Sequence, residues 1–280
     1  MLVTMTEILQ KSRAGKYGVI APNINNEVTA RAAIQAAEEL DTPVILDVIY
    51  GASPDIHLLA LEVHYLADRA KVPVALNLDH GGTFEQAIDA IQAGFSSIMV
   101  DRSAKPFEEN VAEVAELAKI AHAVGLSVES ELGHVGIAAN GDGQTADLYT
   151  NVEQAAEYVE RTGVDALAVA IGTAHGSYPA DYVPHLDFDR LHELYEAVPV
   201  PLVLHGGSGS GDENLARAAH EGITKINVGT DLFKAGNRNM VAHVDELKRA
   251  NLAYDLMAEG YKEELKRHML LVGQDGKANA

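Results

Sequence analysis

The chain has 280 residues, a net charge of −20 and no cysteine. A strongly acidic surface repels nucleic acid and anionic membranes, so we expect neither as a partner. The lack of cysteine excludes disulfides, thiolate metal sites and a cysteine nucleophile, so any metal must bind to His, Asp or Glu. The sequence has neither the apolar core of a signal peptide nor an apolar run long enough for a membrane span, which predicts a soluble cytoplasmic protein.

Short apolar runs alternate with segments of helical periodicity along the chain. Such runs are typical of parallel strands that are buried on both faces. Eight occur: GVIAPN (18–23), PVILDV (43–48), PVALNL (73–78), SSIMVD (96–101), SVESEL (127–132), ALAVAI (166–171), PLVLHG (201–206) and KINVGT (225–230). Periodic segments between them predict helices, for example at 26–40, 83–93, 106–124, 152–161 and 212–221.

Eight strand–helix units without a break in composition predict a single (β/α)8 TIM barrel, which needs about 250 residues. A doubly wound sheet is the alternative, but it would normally have fewer strands and a Gly-rich turn after the first one. The segment 231–271 predicts one or two helices that close the barrel or join a subunit interface. We therefore expect one domain, residues 1–280, with a helical extension at about 231–280.

Histidines stand at the carboxyl ends of three predicted strands, the face on which barrel enzymes place their sites. His80, His175 and His205 follow strands three, six and seven. Three neutral imidazoles at one rim suit zinc and leave a fourth position for water or substrate. We therefore predict a zinc site at these residues. Most other histidines are predicted to lie on the surface, among them His57, His64, His122, His192, His220, His243 and His268, while His134 beside the long 133–150 loop is within reach of the site.

Carboxylates lie at the same predicted rim. Asp79 adjoins His80, where it could transfer a proton at a substrate hydroxyl or orient a ligand imidazole. Asp101 and Glu131 could form a second metal position or orient the ligands, and the sequence leaves both readings open.

Two glycine-rich segments follow predicted strands seven and eight, where barrels commonly bind phosphate. They are HGGSG (205–209) and NVGT (227–230). Glycine lets the backbone approach an anion, and the following helices offer their N-termini. The two segments therefore predict a phosphate-binding cradle.

Taken together, several motifs of the chain resemble the class II, zinc-dependent ketose-bisphosphate aldolases, and the tagatose-bisphosphate aldolase branch most of all. The motifs are LDHG (78–81), IMVDRSAKPFEEN (98–110), VESELGHVG (128–136), VAIGTAHGSY (169–178), LVLHGGSG (202–209) and KINVGT (225–230). The resemblance implies that His80, His175 and His205 are the zinc ligands and that Asp79 is the acid/base. It implies an alternative metal position at Asp101 and Glu131. It also places the following residues at the substrate: Asn23, Gly176, Gly206, Gly207, Ser208, Asn227, Val228, Gly229 and Thr230.

The activity implied by this resemblance is reversible aldol cleavage of a ketose (bis)phosphate to dihydroxyacetone phosphate and an aldehyde. It further implies a monovalent cation near the phosphate and a homo-oligomer, dimer or tetramer. Two alternatives stay open: a metal-dependent epimerase or lyase on a related sugar phosphate, and a weakly active sugar-phosphate-binding paralogue. Schiff-base chemistry needs a lysine directed into the barrel, and the sequence predicts none, because Lys225 is expected to begin its strand.

The chain departs from the family pattern at four places, which leaves the exact substrate open. The loop GIAANGDG (136–143) has Ala138 and Ala139 where carboxylates are usual. Ile49 stands in place of a serine and Arg102 in place of a glycine, and the C-terminal Asp-Pro-Arg segment is missing.

Overall fold

The computed structural model describes residues 2–138, 148–179 and 182–279. Within these ranges eight parallel strands form one sheet in the order β1-β8-β7-β6-β5-β4-β3-β2. The strands are β1 (Val19–Pro22), β2 (Val44–Ile49), β3 (Val74–Gly81), β4 (Ser97–Val100), β5 (Ser127–Leu132), β6 (Ala166–Val169), β7 (Leu202–Leu204) and β8 (Ile223–Val228).

The first and second strands meet through shared contacts at both ends. Near the carboxyl ends, Asn23 forms a parallel bridge with Asp47. At the other end the buried Gln274 side chain accepts a hydrogen bond from Ile20 N at 2.9 Å and donates one to Pro43 O at 2.7 Å. The C-terminal tail thus supplies the hydrogen bonds that the two strands do not exchange there. The predicted (β/α)8 TIM barrel is confirmed.

Each strand is followed by a helix that packs outside the barrel, and one further helix stands at each end of the chain. Side chains at several N-caps, such as Asn26, Asp55 and Thr83, accept the backbone N–H that the first helical turn leaves free. The helices are α1 (Met5–Gly15), α2 (Glu27–Glu39), α3 (Ile56–Ala67), α4 (Phe84–Ala93), α5 (Phe107–Ala123), α6 (Val152–Thr162), α7 (Phe188–Ala197), α8 (Asp212–Glu221), α9 (Thr230–Ala242) and α10 (Ala250–Leu271).

The apolar core has two layers because successive strand residues face opposite sides. The outer layer lies between strands and helices, as with Ile20 and Leu46. The inner layer fills the barrel with side chains such as Val19 and Ile45. Helix α1 covers the amino end of the barrel, where Met5 N donates to Ser97 Oγ at 3.0 Å. The carboxyl end is therefore the end that can hold a site.

Most strand boundaries differ from the prediction by one to three residues, and two of these differences bear on the site. Strand β3 extends through His80 to Gly81, and β8 begins at Ile223, two residues before the predicted start. The expectation that Lys225 begins its strand was therefore wrong: Lys225 is the third residue of β8, and its side chain is buried.

The segment after β8 is helical. Helix α9 is followed by a 3₁₀ turn at Val244–Glu246 and by the long α10, which packs on α9 and α2. No helix in the described ranges is long and apolar enough to cross a membrane.

Candidate active site

Three histidines meet at the carboxyl end of the barrel. One ring nitrogen from each of His80, His175 and His205 lies within 4.8 Å of the others. The ring centroid of His80 is 4.8 Å from that of His175 and 4.6 Å from that of His205. The structure thus brings together the three residues that were predicted from separate strand ends.

The backbone at His80 is unusual, because its φ of 51° lies in the left-handed region. The register between β3 and β4 shifts between Leu78 and Gly81, so His80 lies on a bulge that turns its ring towards the barrel axis. Arg102, which is buried, donates through Nη1 to Gly81 O at 2.9 Å and to Asp101 O at 2.7 Å. Its guanidinium therefore ties the bulge to the end of β4.

Two carboxylates fix the orientation of two of the rings. Asp101 Oδ2 is 2.7 Å from His80 Nδ1, and Glu129 Oε1 is 2.8 Å from His205 Nε2. A carboxylate accepts a hydrogen bond, so each of these ring nitrogens carries the proton. The other nitrogens, His80 Nε2 and His205 Nδ1, then face each other with their lone pairs at 2.9 Å.

Two opposed lone pairs require a cation between them. A proton is one such cation: burial opposes it, but the carboxylates of Asp79, Asp101 and Glu131 raise the pKa of His80 to about 10. A metal ion is the other, and three imidazole nitrogens match the ligands of catalytic zinc. Burial, together with the charge of the neighbouring rings, lowers the pKa of His175 to about 3, which keeps its lone pair available. The donor set therefore fits zinc.

His175 is held by its backbone rather than by a strand. Its N–H donates to Gly136 O at 2.8 Å, and its carbonyl accepts from Ala138 N at 2.9 Å. The first part of the loop after β5 therefore positions the third histidine. Ala138 was singled out as a departure from the family pattern, and in the structure it contacts His175 through its backbone.

Asp79 lies beside the histidines and is almost fully buried. Its carboxylate accepts from Asn23 Nδ2 at 2.8 Å and from Asn227 Nδ2 at 3.1 Å. Burial alone would raise the pKa of Asp79, but the His80 and His205 rings and the Lys225 ammonium outweigh it and lower the pKa. The side chain is therefore an oriented carboxylate. Asn227, which contacts it, is also the first residue of the glycine-rich segment at 227–230.

A second group of metal-ligand atoms is formed by His80, Asp101 and Glu131. Glu131 Oε1 accepts from Val135 N at 3.0 Å, while the buried Oε2 accepts no hydrogen bond within the ranges that the structure describes. Burial, helped by the charge of Asp101, raises the pKa of Glu131 to about 8. The group can hold a metal ion or a proton. Asp101 and Glu131 can therefore form a second metal position or orient the ligands, and both interpretations stay open.

The two glycine-rich segments pack against each other next to His205. Ser208 Oγ accepts from Gly229 N at 3.3 Å and from Asp231 N at 3.2 Å, where α9 begins. Gly206 has a φ of 69°, and a Cβ on Gly207 would lie 2.8 Å from Asn227 O. Ser208 thus lies at the N-terminus of α9, which begins at Thr230, and Gly207 packs against Val228. Gly206 packs against the backbone of Ala174, and Gly176 on the loop after β6 faces open space.

A buried ion cluster that the sequence did not predict lies beneath the histidines. Lys225 Nζ lies 2.9 Å from Glu129 Oε2 and 3.1 Å from Asp47 Oδ2, and all three side chains are fully buried. Burial would lower the pKa of Lys225, but Asp47 and Glu129 reverse the effect and raise it. Lys225 does point into the barrel, but its ammonium is paired with two buried carboxylates, and this arrangement disfavours Schiff-base chemistry. The signal for Glu129 was its spacing of two from Glu131 on β5, which places both on the inner face.

Other predicted residues lie at the edge of the site or away from it. His134 Nδ1 is 3.1 Å from Ser103 Oγ, which in turn donates to Asp101. The prediction that His268 lies on the surface was wrong, because only 1% of it is exposed. Ile49 stands half-exposed at the end of β2. Ala139 and the rest of the altered loop, residues 140–143, lie outside the described residues.

The chain is similar to known proteins over nearly its whole length. The family model "Fructose-bisphosphate aldolase class-II" matches residues 3–277. A fructose-bisphosphate aldolase of Thermus caldophilus is 40% identical over 99% of this chain and 100% of its own. One of Geobacillus stearothermophilus is 42% identical over 82% and 81%. The crystal structure of the YdjI aldolase from Escherichia coli K12 superposes with a TM-score of 0.89 at 34% identity and covers 100% of both chains.

The fold and the site thus define a barrel enzyme of the aldolase type. The chain belongs to the class II fructose-bisphosphate aldolase family. The predicted family is confirmed, while its tagatose branch stays a prediction.

Proposed function

We propose that the protein catalyses the reversible, zinc-dependent aldol cleavage of a ketose phosphate to dihydroxyacetone phosphate and an aldehyde. The observation that carries this proposal is the pair of facing histidine nitrogens, 2.9 Å apart, with a buried aspartate beside them. Both rings are turned by carboxylates so that their lone pairs converge. Membership of the class II aldolase family supports the same reaction.

In this proposal His80, His175 and His205 hold the metal. When bound, zinc supplies a Lewis acid that polarises the substrate carbonyl. The orienting carboxylates, Asp101 and Glu129, keep the ligand tautomers fixed and increase the basicity of the rings. An alternative metal position at Asp101 and Glu131 is part of the proposal, supported by the unpaired Glu131 Oε2.

We assign the proton transfer at the cleaved bond to Asp79. In the cleavage direction its carboxylate takes the proton from the hydroxyl on the carbon that becomes the aldehyde. The carbon–carbon bond then breaks, and its electron pair stays with the triose half, which takes up a proton. In synthesis Asp79 returns the proton to the new hydroxyl. Asn23 and Asn227 support this role because they donate to the two carboxylate oxygens and hold them in place.

The phosphate of the triose half is assigned to the cradle formed after β6, β7 and β8. Its members are Gly176, Gly206, Gly207, Ser208, Asn227, Val228, Gly229 and Thr230. The amides at the start of α9 favour an anion through the helix dipole. We include the implied monovalent cation near this phosphate in the proposal.

The test combines metal removal with a substrate panel. The protein treated with EDTA should release no triose phosphate from any ketose phosphate, and added zinc should restore the release. Ketose mono- and bisphosphates, fructose and tagatose 1,6-bisphosphate among them, are incubated with coupled detection of dihydroxyacetone phosphate. If no member yields the triose, or if Asp79→Ala behaves like the parent protein, the proposal fails.

We further propose that residues 1–280 act as one domain with its helical extension, as a homo-oligomer in the cytoplasm. The proposed partner is a small sugar phosphate, with no nucleic-acid or membrane partner. Size-exclusion chromatography with light scattering measures the oligomeric state, and a dimer or tetramer is expected.

A further inference from the structure

The phosphate proposed for the cradle needs a positive charge nearby, because the chain as a whole has a net charge of −20. Such a chain repels a dianionic substrate at long range. Backbone amides provide hydrogen bonds but only partial charges. A lysine or arginine at the rim would supply a full charge to the phosphate group.

Few basic side chains stand at this rim. By sequence, the loops from the ends of the eight strands to the following helices contain only Arg102 and Lys105, and this count includes residues outside the described ranges. Both pair with Glu113. Arg190, near the start of α7, pairs with Asp187. Each of these three cations is already neutralised by a carboxylate.

Lys234, near the start of α9, is different. Its Nζ donates to Ser177 Oγ at 2.7 Å, and this hydroxyl is its one described hydrogen-bond or ion-pair partner. Ser177 comes two residues after His175 on the loop that follows β6, whereas α9 follows β8. Because β7 lies between β6 and β8, the contact bridges the loop that follows β7. That loop, residues 205–211, contains Gly206, Gly207 and Ser208 of the cradle.

The surroundings of this bridge show that it lies beside the β7 loop. Gly209 of the β7 loop donates to Asp231 on α9 at 2.8 Å and packs against the ring of Tyr178, the residue after Ser177. The β7 loop is thus enclosed by the same two elements that Lys234 joins. A hydroxyl is a neutral partner and can be exchanged for a phosphate oxygen without leaving an unpaired charge.

We infer that Lys234 is a binding residue for the phosphate group of the triose. When the phosphate is bound, the Lys234 ammonium exchanges its hydrogen bond to Ser177 for one to a phosphate oxygen. This inference rests on the proposed function and deepens it. Of the two halves of the substrate, the protein would recognise the triose phosphate, and not the aldehyde, through a charged side chain. Lys234 would then add to the preference for dihydroxyacetone phosphate over dihydroxyacetone that the amides of the cradle provide.

The test uses Lys234→Met, Lys234→Arg and, as a matched control at the same rim, Lys105→Met. Binding of dihydroxyacetone phosphate to the zinc-loaded proteins is measured by calorimetry, and the KM and kcat of aldol synthesis are measured with dihydroxyacetone phosphate and with dihydroxyacetone. For Lys234→Met we expect Kd and KM for the phosphate to rise about tenfold, the loss of one charge-assisted hydrogen bond at an exposed site. Its kcat, and its use of dihydroxyacetone, should stay within about twofold of the parent.

Lys234→Arg should keep most of the affinity, and Lys105→Met should match the parent. Equal binding of dihydroxyacetone phosphate by Lys234→Met and the parent would overturn the inference, as would a parent that does not bind it. An equal loss for both triose donors would also overturn it, because that result indicates a structural role. Failure of the proposed function shows differently: the parent binds the triose phosphate but cleaves no ketose phosphate.

Discussion

Replacing Glu129 by Gln should weaken zinc binding although no metal ligand is changed. In the parent, Glu129 accepts two hydrogen bonds, from His205 Nε2 at 2.8 Å and from Lys225 Nζ at 2.9 Å. A glutamine has the same shape but only one accepting oxygen. If the oxygen faces His205, its NH₂ group meets the ammonium of Lys225. If it faces Lys225, the NH₂ group meets the protonated Nε2 and favours the tautomer that blocks Nδ1.

The first orientation leaves a buried donor without an acceptor, the second blocks the nitrogen that binds the metal, and the whole cluster is shielded from water. Loss of a carboxylate that orients a metal-binding histidine typically costs about 10- to 100-fold in metal affinity. We expect a value near the upper end, because no solvent can replace the lost hydrogen bond. The free energy of unfolding of the zinc-free protein should fall by about 2–4 kcal/mol. This loss is smaller than for a buried ion pair that is broken completely, because Lys225 retains its ion pair with Asp47.

The assay is a zinc titration against a fluorescent chelator, together with urea unfolding of the zinc-free protein. Asp101→Asn is the matched control, since it changes the corresponding partner of His80. The Asp101 side chain is 22% exposed, so water can relieve the mismatch, and its loss of zinc affinity should be about tenfold or less. Parent-like zinc affinity in Glu129→Gln would refute the reasoning. A loss of stability alone would show that Glu129 supports the barrel but does not orient His205.

Three further changes test other parts of the structure. Asp79→Asn should lower kcat by about 10²–10⁴-fold at unchanged zinc affinity, in steady-state assays with zinc titration as control; a KM effect alone would contradict the proton-transfer role. Arg102→Met removes the hydrogen bonds to Gly81 and Asp101, so zinc affinity should fall about tenfold, and an unchanged chelator titration would argue against the proposed support of the bulge. Gln274→Ala leaves a buried N–H and a buried carbonyl unpaired and should cost about 2–4 kcal/mol in urea unfolding, while kcat at 25 °C stays within about twofold. A parent-like unfolding midpoint would contradict the role of Gln274 in closing the barrel.

The barrel could be predicted from the sequence because both faces of its strands are buried. Runs such as Val44–Ile49 are apolar almost throughout, and this pattern separates them clearly from the amphipathic helices. The metal histidines could be predicted because carboxyl strand ends meet at one rim in any barrel of this kind. Topology therefore brings these histidines to one rim, while the bulge at His80 and the loop contacts of His175 complete the arrangement.

The residues that the sequence did not reveal depend on contacts between distant strands. The apolar pattern predicts that Lys225 begins its strand, whereas pairing with β7 extends β8 back to Ile223. The role of Glu129 requires knowing that residues 205 and 225 face the same point inside the barrel. Gln274 lies in a polar tail, and only the gap between β1 and β2 gives it a function.

The bulge at His80 also escaped sequence reasoning. A positive φ is unusual for a histidine, and no local pattern signals it. The shift in register between β3 and β4 and the buried Arg102 explain how it is maintained.

The most direct test of the central proposal is the zinc content per chain, measured together with triose release. The parent protein, stripped with chelator and reloaded, should bind one catalytic zinc ion per chain and regain its activity in proportion to the zinc bound. The variant with His80, His175 and His205 all changed to Ala should bind no zinc at this affinity and release no triose phosphate. Full activity in the zinc-free parent, or the same tight zinc binding in the triple variant, would contradict the account.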